Sequence, residues 1–348
     1  MPLSKIQGIN GQVTPNLGRR NLIINGAMQV AQRGTSATGV GTAVSYNTVD
    51  RFRFADAGSP TARFTETQDS SGPVGFSNSI KFEVTTADTS VAATTHQYID
   101  QFIEAQNLQH LAWGTSSGKK IVLSFYVKCS TAQTFAVDFV NEDNSKYFNT
   151  TYTVNAANTW ERKIIVLPAD TASGFNDDNG RGLRCRWTLV AGTDYTDGSV
   201  DTTWQSSSDR ATNHQNTWVG ATGRTWAMTG AQLEVGDTDT DFEHRSFGEE
   251  LSLCQRYFSK ISSIDVSTYY KTGGSAPTEN FTYQQTMRAA PTCTLTRQSG
   301  DAYNLASITQ RNITADSFNL YLVATSGNDI VAFGHNGNPA TYTMEAEL

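Results

Sequence analysis

Charge is scarce in this sequence. Asp, Glu, Lys and Arg make up 17% of its 348 residues, against about 25% in an average soluble domain. Lys- and Glu-rich stretches that would mark exposed helices are few. No apolar run approaches the roughly 20 residues that cross a bilayer as a helix, which argues against membrane insertion. No run of basic residues is longer than the pairs Arg19-Arg20 and Lys119-Lys120, and the net charge is −7. A phosphate-binding surface needs a basic stripe, so these counts argue against nucleic acid as the main partner. The start, Met1-Pro-Leu-Ser-Lys-Ile-Gln7, lacks the apolar segment of a signal peptide. The expectation is a chain made in a cytoplasm that stays there or leaves inside an assembly.

Cysteine is also sparse, with Cys129, Cys185, Cys254 and Cys293 far apart and no C-x-x-C among them. Neither zinc binding nor thioredoxin-like chemistry finds support in that spacing. Cys129 continues the alternation Ile121, Leu123, Phe125, Val127, and Cys185 falls within Leu183, Cys185, Trp187, Leu189. Both read as small buried hydrophobes on the inner face of a strand, with free thiols.

Thr, Ser, Asn and Gly take the place of the missing charge. They suit strands with one solvated face, joined by tight turns. From Asn21 onward short strand-like runs recur between turn signals. The clearest is Lys120 to Lys128, with Ile121, Leu123, Phe125 and Val127 on one face and Ser124, Tyr126 and Lys128 on the other. Phe135, Val137 and Phe139 repeat the pattern, and Asn141-Glu-Asp-Asn144 makes a hairpin turn. Further runs are Phe148 to Val154, Trp160 to Leu167, Leu183 to Val190 and Thr225 to Val235. The last changes parity near Gly230, as a bulge would cause. Many short strands with almost no helix predict an all-β chain built on a β-sandwich or jelly roll.

One helix is expected, over Gly248 to Lys260. Leu251, Cys254 and Phe258 share a face there, and Glu249 and Glu250 sit at the end that the helix dipole favours. Later strands are expected at Phe281 to Met287, Cys293 to Thr296, Phe318 to Val323 and Tyr342 to Ala346. The predicted organisation is an extended N-terminal arm over 1–20, a large jelly roll over 21–247, a helical joint over 248–260, and a small C-terminal β-sandwich over 261–348. An arm without its own core takes its order from a partner.

Several motifs touch on known chemistry. Gly114-Thr-Ser-Ser-Gly118 matches the G-x-S-x-G pattern, but that mechanism needs a strand before it and a helix after it. Here the clearest strand comes after. Asp237, Asp239 and Asp241 alternate as in calcium loops, yet Phe242 and Gly248 occupy positions where a helix–loop–helix site needs Gly and Glu. A solvated acidic turn is the better account, and Asn176-Asp-Asp-Asn-Gly180 reads the same way. The five histidines do not cluster at ligand spacing. No catalytic residue, metal site or cofactor is predicted, and the chain reads as a binding or structural protein rather than an enzyme.

Aromatic residues are more informative. Trp160, Trp187 and Trp226 fall within strand runs and read as core. Trp113, Tyr195, Trp204 and Trp218 lie in or beside polar stretches that do not alternate, so they are the candidates for stacking on sugar rings. The competing account is that loops of a large sandwich fold over and bury their own rings.

Three stretches together resemble phage virion proteins with a carbohydrate-binding-module type jelly roll. Asn21-Leu-Ile-Ile-Asn-Gly-Ala-Met-Gln-Val-Ala-Gln-Arg-Gly-Thr35 resembles the first strand of that domain. Gln101-Phe-Ile-Glu-Ala-Gln-Asn-Leu-Gln109 with Ile121 to Lys128 resembles its middle. Thr229 to Gly236, then Phe242-Glu-His-Arg-Ser-Phe-Gly-Glu-Glu-Leu-Ser-Leu-Cys-Gln-Arg-Tyr-Phe258, resembles its last strand and the joint after it. Met287-Arg-Ala-Ala-Pro-Thr292 and Ala315 to Leu320 resemble the small domain that follows in tail fibres. Related jelly rolls often begin Asn-Gly-Asp, with the acid near a structural calcium; Ala27 stands in the acid's place, so no calcium site carries over.

The resemblance implies a virion protein, assembled in the host cytoplasm, that acts as a tail fibre or receptor-binding subunit and recognises a host surface glycan. It implies a homotrimer, and other virion proteins bound through the arm. A non-recognising component (head fibre, decoration or baseplate protein) is the alternative, and a glycan depolymerase the third reading.

Overall fold

Runs rich in Thr and β-branched residues, bounded by Gly, Asn and Asp, fold as strands because extended backbone suits the former and turns the latter. The structure, a computed structural model, describes residues 20–348 apart from 208, 265, 271–277, 298–301, 326–328 and 335–339. The expected arm over 1–20 therefore lies outside the described residues, except for Arg20. The first eleven strands are β1 (Ser36–Val40), β2 (Arg53–Ala57), β3 (Arg63–Asp69), β4 (Ser79–Thr86), β5 (His96–Glu104), β6 (Ile121–Cys129), β7 (Gln133–Asn141), β8 (Lys146–Val154), β9 (Glu161–Leu167), β10 (Arg181–Ala191) and β11 (Thr225–Val235). One sheet has the order β1-β3-β4-β11-β6-β9 and the other β2-β5-β10-β7-β8. Two sheets with such non-consecutive neighbours, sharing one core, make a jelly-roll sandwich.

Alternation along each strand sends one row of side chains inward. Ile121, Leu123, Phe125 and Val127 of β6 are buried with Leu183, Cys185, Trp187 and Leu189 of β10 in that core. Phe125 and Trp187 meet edge to face at 5.9 Å and tie the two sheets together. The parity change in β11 is a bulge: its register with β6 slips between Thr229 and Gln232, and Gly230 has φ +63°. Trp187 and Trp226 lie in the core, whereas Trp160 is half-buried, with the Lys128 ammonium 4.9 Å from its ring centroid.

The segment 21–35 is not a strand, contrary to its resemblance. Turns at Asn25 and Met28, with φ of 61° and 57°, interrupt it. It nonetheless lies along β11. Leu22 N–H donates to Leu233 O at 2.8 Å, and Ala231 N–H donates to Gly26 O at 3.0 Å.

After β10 comes a single turn, α1 (Thr193–Thr196), and after β11 the helix α2 (Phe247–Gln255). Ser246 caps α2, its hydroxyl accepting from Glu249 N–H at 3.3 Å. The helix is shorter than expected. It stops at Gln255 because Phe258 already pairs with Glu345, as the first residue of the next strand. The remaining strands are β12 (Phe258–Ile264), β13 (Val266–Tyr270), β14 (Thr278–Thr282), β15 (Thr292–Thr296), β16 (Ala302–Tyr303), β17 (Leu305–Arg311), β18 (Ser317–Ala324), β19 (Asp329–Phe333) and β20 (Ala340–Glu345). They form three sheets, β12-β20-β15, β13-β19-β16 and β14-β18-β17, around a second core that includes Phe318, Leu320, Phe333 and Tyr342. Among the described residues, no helix is long and apolar enough to cross a membrane.

Ion pairs weld this second unit to the sandwich. Arg51, with a fully buried side chain, pairs with Glu347, donates to Phe102 O at 2.8 Å and lies 3.5 Å over the Tyr257 ring. Glu104 accepts from Arg256 Nε at 2.7 Å and from the Tyr257 hydroxyl at 2.5 Å. Burial works against the Glu104 charge, but these donors outweigh it and hold the carboxyl below its ordinary range. All four cysteines are free; Cys129, Cys185 and Cys254 are buried, and Cys293 is half-buried.

Candidate functional site on the five-stranded sheet

The outward face of the five-stranded sheet carries an unusual row. Reading across the strands, Arg53 stands opposite Asp100, Asp100 opposite Arg186, Arg186 opposite Asp138, and Asp138 opposite Asn149. Period-two alternation places all five on the same side, away from the apolar core. Arg53 grips Asp100 with two hydrogen bonds, Nε to Oδ1 at 2.9 Å and NH2 to Oδ2 at 2.5 Å. Arg186 grips Asp138 in the same bidentate way, its Nε 2.6 Å from Oδ1.

Beside this row lie Arg184 and Tyr98, which are partly exposed, and His96, which is buried. Arg184 forms an ion pair with Glu142 at 2.6 Å and approaches Asp100 at 3.8 Å, and its side chain is 16% exposed. Tyr98 is half-buried, with the Arg186 guanidinium 4.8 Å from its ring centroid. His96 lies 4.7 Å from Tyr98 and stacks on Tyr195 at 4.8 Å. Burial pushes His96 well below the ordinary imidazole value, and the nearby Arg186 charge adds to that. The loop after α1 follows the edge of β8, where Tyr147 and Gln205 exchange backbone hydrogen bonds and Asp201 bonds Asn149 at 2.7 Å and 2.8 Å.

The row itself is closed to solvent, with Asp100, Asp138 and Arg186 at most 1% exposed as whole residues, and what the face presents is the partly exposed Arg53, Tyr98, Arg184 and Glu142 beside it. Such a surface can bond hydroxyl groups and stack on an apolar ring face without reorganising. Each of the carboxylates Asp100, Asp138 and Glu142 is paired with a guanidinium.

Sequence reasoning singled out other residues. Trp218 is fully buried, stacked 5.4 Å from Phe64, with its indole N–H donating to Leu189 O at 2.7 Å. Trp113 is also buried, and its indole N–H donates to Lys119 O at 2.8 Å. A ring enclosed on both faces offers nothing to a sugar, so burial removes these two as contacts. Trp204 packs edge-on against Trp113 at 4.9 Å and stays half-buried. Tyr195 is likewise half-buried, and of the four it alone sits on the outer face described here, through His96.

The other motifs resolve plainly. Ser116 lies in an exposed turn between a short 3-10 helix and β6, the reverse of a nucleophile elbow. Asp239 pairs with Arg162 at 2.7 Å, and Asp178 caps the backbone N–H of Gly180 at 2.8 Å. The row on β5 and β10 lies on strands and not in the aromatic loops that the sequence singles out. Its signal was available in Arg184 and Arg186 alternating with Leu183, Cys185 and Trp187, which puts cations on the outer face of a central strand.

No protein-family model matches the chain, and no curated protein matches it by sequence. Among solved structures it is similar to the enzymatically active domain of tailspike protein 4 of bacteriophage CBA120, with TM-score 0.33 and 11% identity over 62% of this chain. This chain spans 22% of the length of that tailspike chain. It is also similar to TmCBM61 in complex with β-1,4-galactotriose, with TM-score 0.32 and 7% identity over 62% of this chain and 99% of the other. A third likeness is to the family 11 carbohydrate-binding module of the Clostridium thermocellum cellulase Lic26A-Cel5E, with TM-score 0.28 and 12% identity over 59% and 100%.

Proposed function

We propose that this chain is a virion appendage protein of a tailed phage, a tail fibre or receptor-binding subunit. Its jelly roll recognises a host surface glycan without cleaving it. One observation carries the recognition reading: the partly exposed Arg53, Tyr98, Arg184 and Glu142, set on the outer face beside the buried charges of Asp100, Arg186 and Asp138. A sugar presents hydroxyls that both donate and accept, together with an apolar ring face, and this surface matches both. The virion context rests on the resemblance of residues 21–35, 229–236 and 242–258. In this reading a homotrimer is anchored to the particle through the N-terminal arm and assembled in the host cytoplasm. A single site of this kind binds no tighter than roughly millimolar to micromolar, and three linked copies raise avidity about 100-fold or more.

A second reading, a non-recognising structural component, is favoured by Ile164 and Val166. Both project from the edge strand β9 and are 49% and 43% exposed, as residues covered by a neighbouring subunit would be. The test is binding of the full-length protein to an array of bacterial surface polysaccharides. Retention on at least one polysaccharide, competed by its free repeating unit, supports recognition. Failure on every polysaccharide and on intact host cells transfers the assignment to the structural reading.

A further inference from the structure

A compact group of partly exposed rings sits on the opposite sheet, outside both cores. Phe76, Tyr126, Phe242 and His244 pack together: Phe76 lies 5.5 Å from Tyr126, 5.0 Å from Phe242 and 5.2 Å from His244 by ring centroids. Phe242 and His244 are 4.9 Å apart. The first three rings are half-buried, and His244 is exposed. None belongs to a hydrophobic core cluster. They line a pocket of about 240 Å³ together with Ser124 and Arg162.

The chain builds this pocket deliberately. The bulge in β11 places Gly230 at φ +63°, and a Cβ there would lie 2.8 Å from the tip of the Phe76 ring and 3.1 Å from Tyr126. The missing side chain is what lets Phe76 lie down on the sheet. The loop that supplies Phe242 and His244 is clamped from behind. Glu243 accepts from the backbone N–H groups of Arg20 and Asn21 at 3.0 Å and 2.9 Å, and its own N–H donates to Gln232 at 2.7 Å. Arg162 is fixed beside the rings by Asp239 at 2.7 Å and Thr240 O at 2.8 Å.

We infer that this pocket is a second saccharide site that holds one pyranose residue, separate from the five-stranded face. The rings give a floor for an apolar sugar face, while the guanidinium of Arg162 and the exposed Asp241 and His244 stand around it to meet hydroxyls. The site deepens the glycan-recognition reading and rests on it, yet it is physically independent of Tyr98 and Arg184.

The test is saturation-transfer NMR of the full-length protein with methyl glycosides of glucose, galactose, mannose and N-acetylglucosamine as probes. It compares wild type with Phe242→Ala, Phe76→Leu and Tyr98→Ala. Phe242→Ala touches no core cluster and is expected to keep the wild-type melting temperature while weakening one glycoside roughly tenfold. The milder Phe76→Leu, which keeps an apolar floor, should show a smaller loss. In the Tyr98→Ala background, where the five-stranded face is disabled, Phe242→Ala should remove the glycoside signal that remains. If the signal is lost with Tyr98→Ala and kept with Phe242→Ala, the first site stands and this one falls. If no glycoside gives a signal, or both variants leave it intact, the pocket is not a sugar site.

Discussion

Arg186 on β10 and Asp138 on β7 face each other directly and pair through two hydrogen bonds, although their side chains are only 2% and 1% exposed. Burial works against the Arg186 charge, and the Asp138 carboxylate outweighs it, so the guanidinium is held more firmly protonated than usual. A buried pair of this kind adds little net stability while intact but is costly to halve. Asp138→Ala is expected to lose about 3–5 kcal/mol, whereas the paired replacement Asp138→Leu with Arg186→Met loses far less. Urea unfolding of the three proteins measures both. Equal losses for the single and double variants would show that the pair is not coupled.

The joint between the two units rests on the same physics. Glu347 neutralises Arg51, and Arg33 reaches Glu347 at 3.3 Å. Glu347→Ala leaves the Arg51 guanidinium buried without a carboxylate and should cost several kcal/mol, on the order of 3–5. The small unit should then be cleaved by protease between residues 256 and 346 well before the sandwich is. Unchanged protection of that unit would show that the Arg256–Glu104 pair and the apolar contacts of Phe102, Tyr257 and Leu348 hold the joint without Glu347.

Acid should weaken the sandwich through its buried histidines. His214 is fully enclosed. Ala136 N–H donates to its Nδ1 at 3.2 Å, and its Nε2 lies 3.2 Å from Leu189 O, which sets a neutral ring with the proton on Nε2. Burial pushes it down to about 3 from the ordinary 6.5. The unfolded chain takes up a proton below pH 6.5 that the native ring refuses. The stabilisation is therefore complete above pH 6.5 and is lost as pH falls toward 3, at about 1.4 kcal/mol per unit per proton. His96 is shifted in the same direction. Denaturant midpoints at pH 7.5, 6 and 5 should fall for wild type and fall less steeply for His214→Gln. Parallel slopes would contradict the assignment.

Thiol chemistry should follow burial. Cys129, Cys185 and Cys254 are enclosed, and desolvation raises all three, Cys129 to about 11. An aromatic disulfide reagent should titrate four thiols in denatured protein. In native protein it should react, slowly, with Cys293 alone. Rapid reaction of a second native thiol would place a cysteine outside the core.

Much of the sandwich was readable because its strands keep strict alternation. Ile121 to Val127 and Leu183 to Leu189 put every second residue in the core. β5 escaped because its polarity does not separate by face. Gln97 reaches the backbone oxygens of Gly41 and Ala62, and Gln101 those of Ile24, while Asp100 and Glu104 are buried under guanidinium groups. Helix α2 was read too long because Phe258 continues its apolar spacing, whereas pairing with Glu345 claims that residue for β12. The candidate site was missed for a related reason. Loop tryptophans look exposed in sequence, yet Trp113 and Trp218 find backbone acceptors and are buried, and the partly exposed Tyr98 and Arg184 lie on strands instead.

The central claim is that a sugar is recognised on the outer face of the five-stranded sheet. The most direct measurement is adsorption of the full-length protein to host cells for wild type, Tyr98→Ala, Arg184→Ala and Trp204→Ala, each with a matched melting temperature. The account predicts that Tyr98→Ala and Arg184→Ala each weaken adsorption roughly tenfold or more, that free polysaccharide competes, and that Trp204→Ala changes little. Undiminished adsorption by both Tyr98→Ala and Arg184→Ala, with Trp204→Ala the variant that fails, would contradict it.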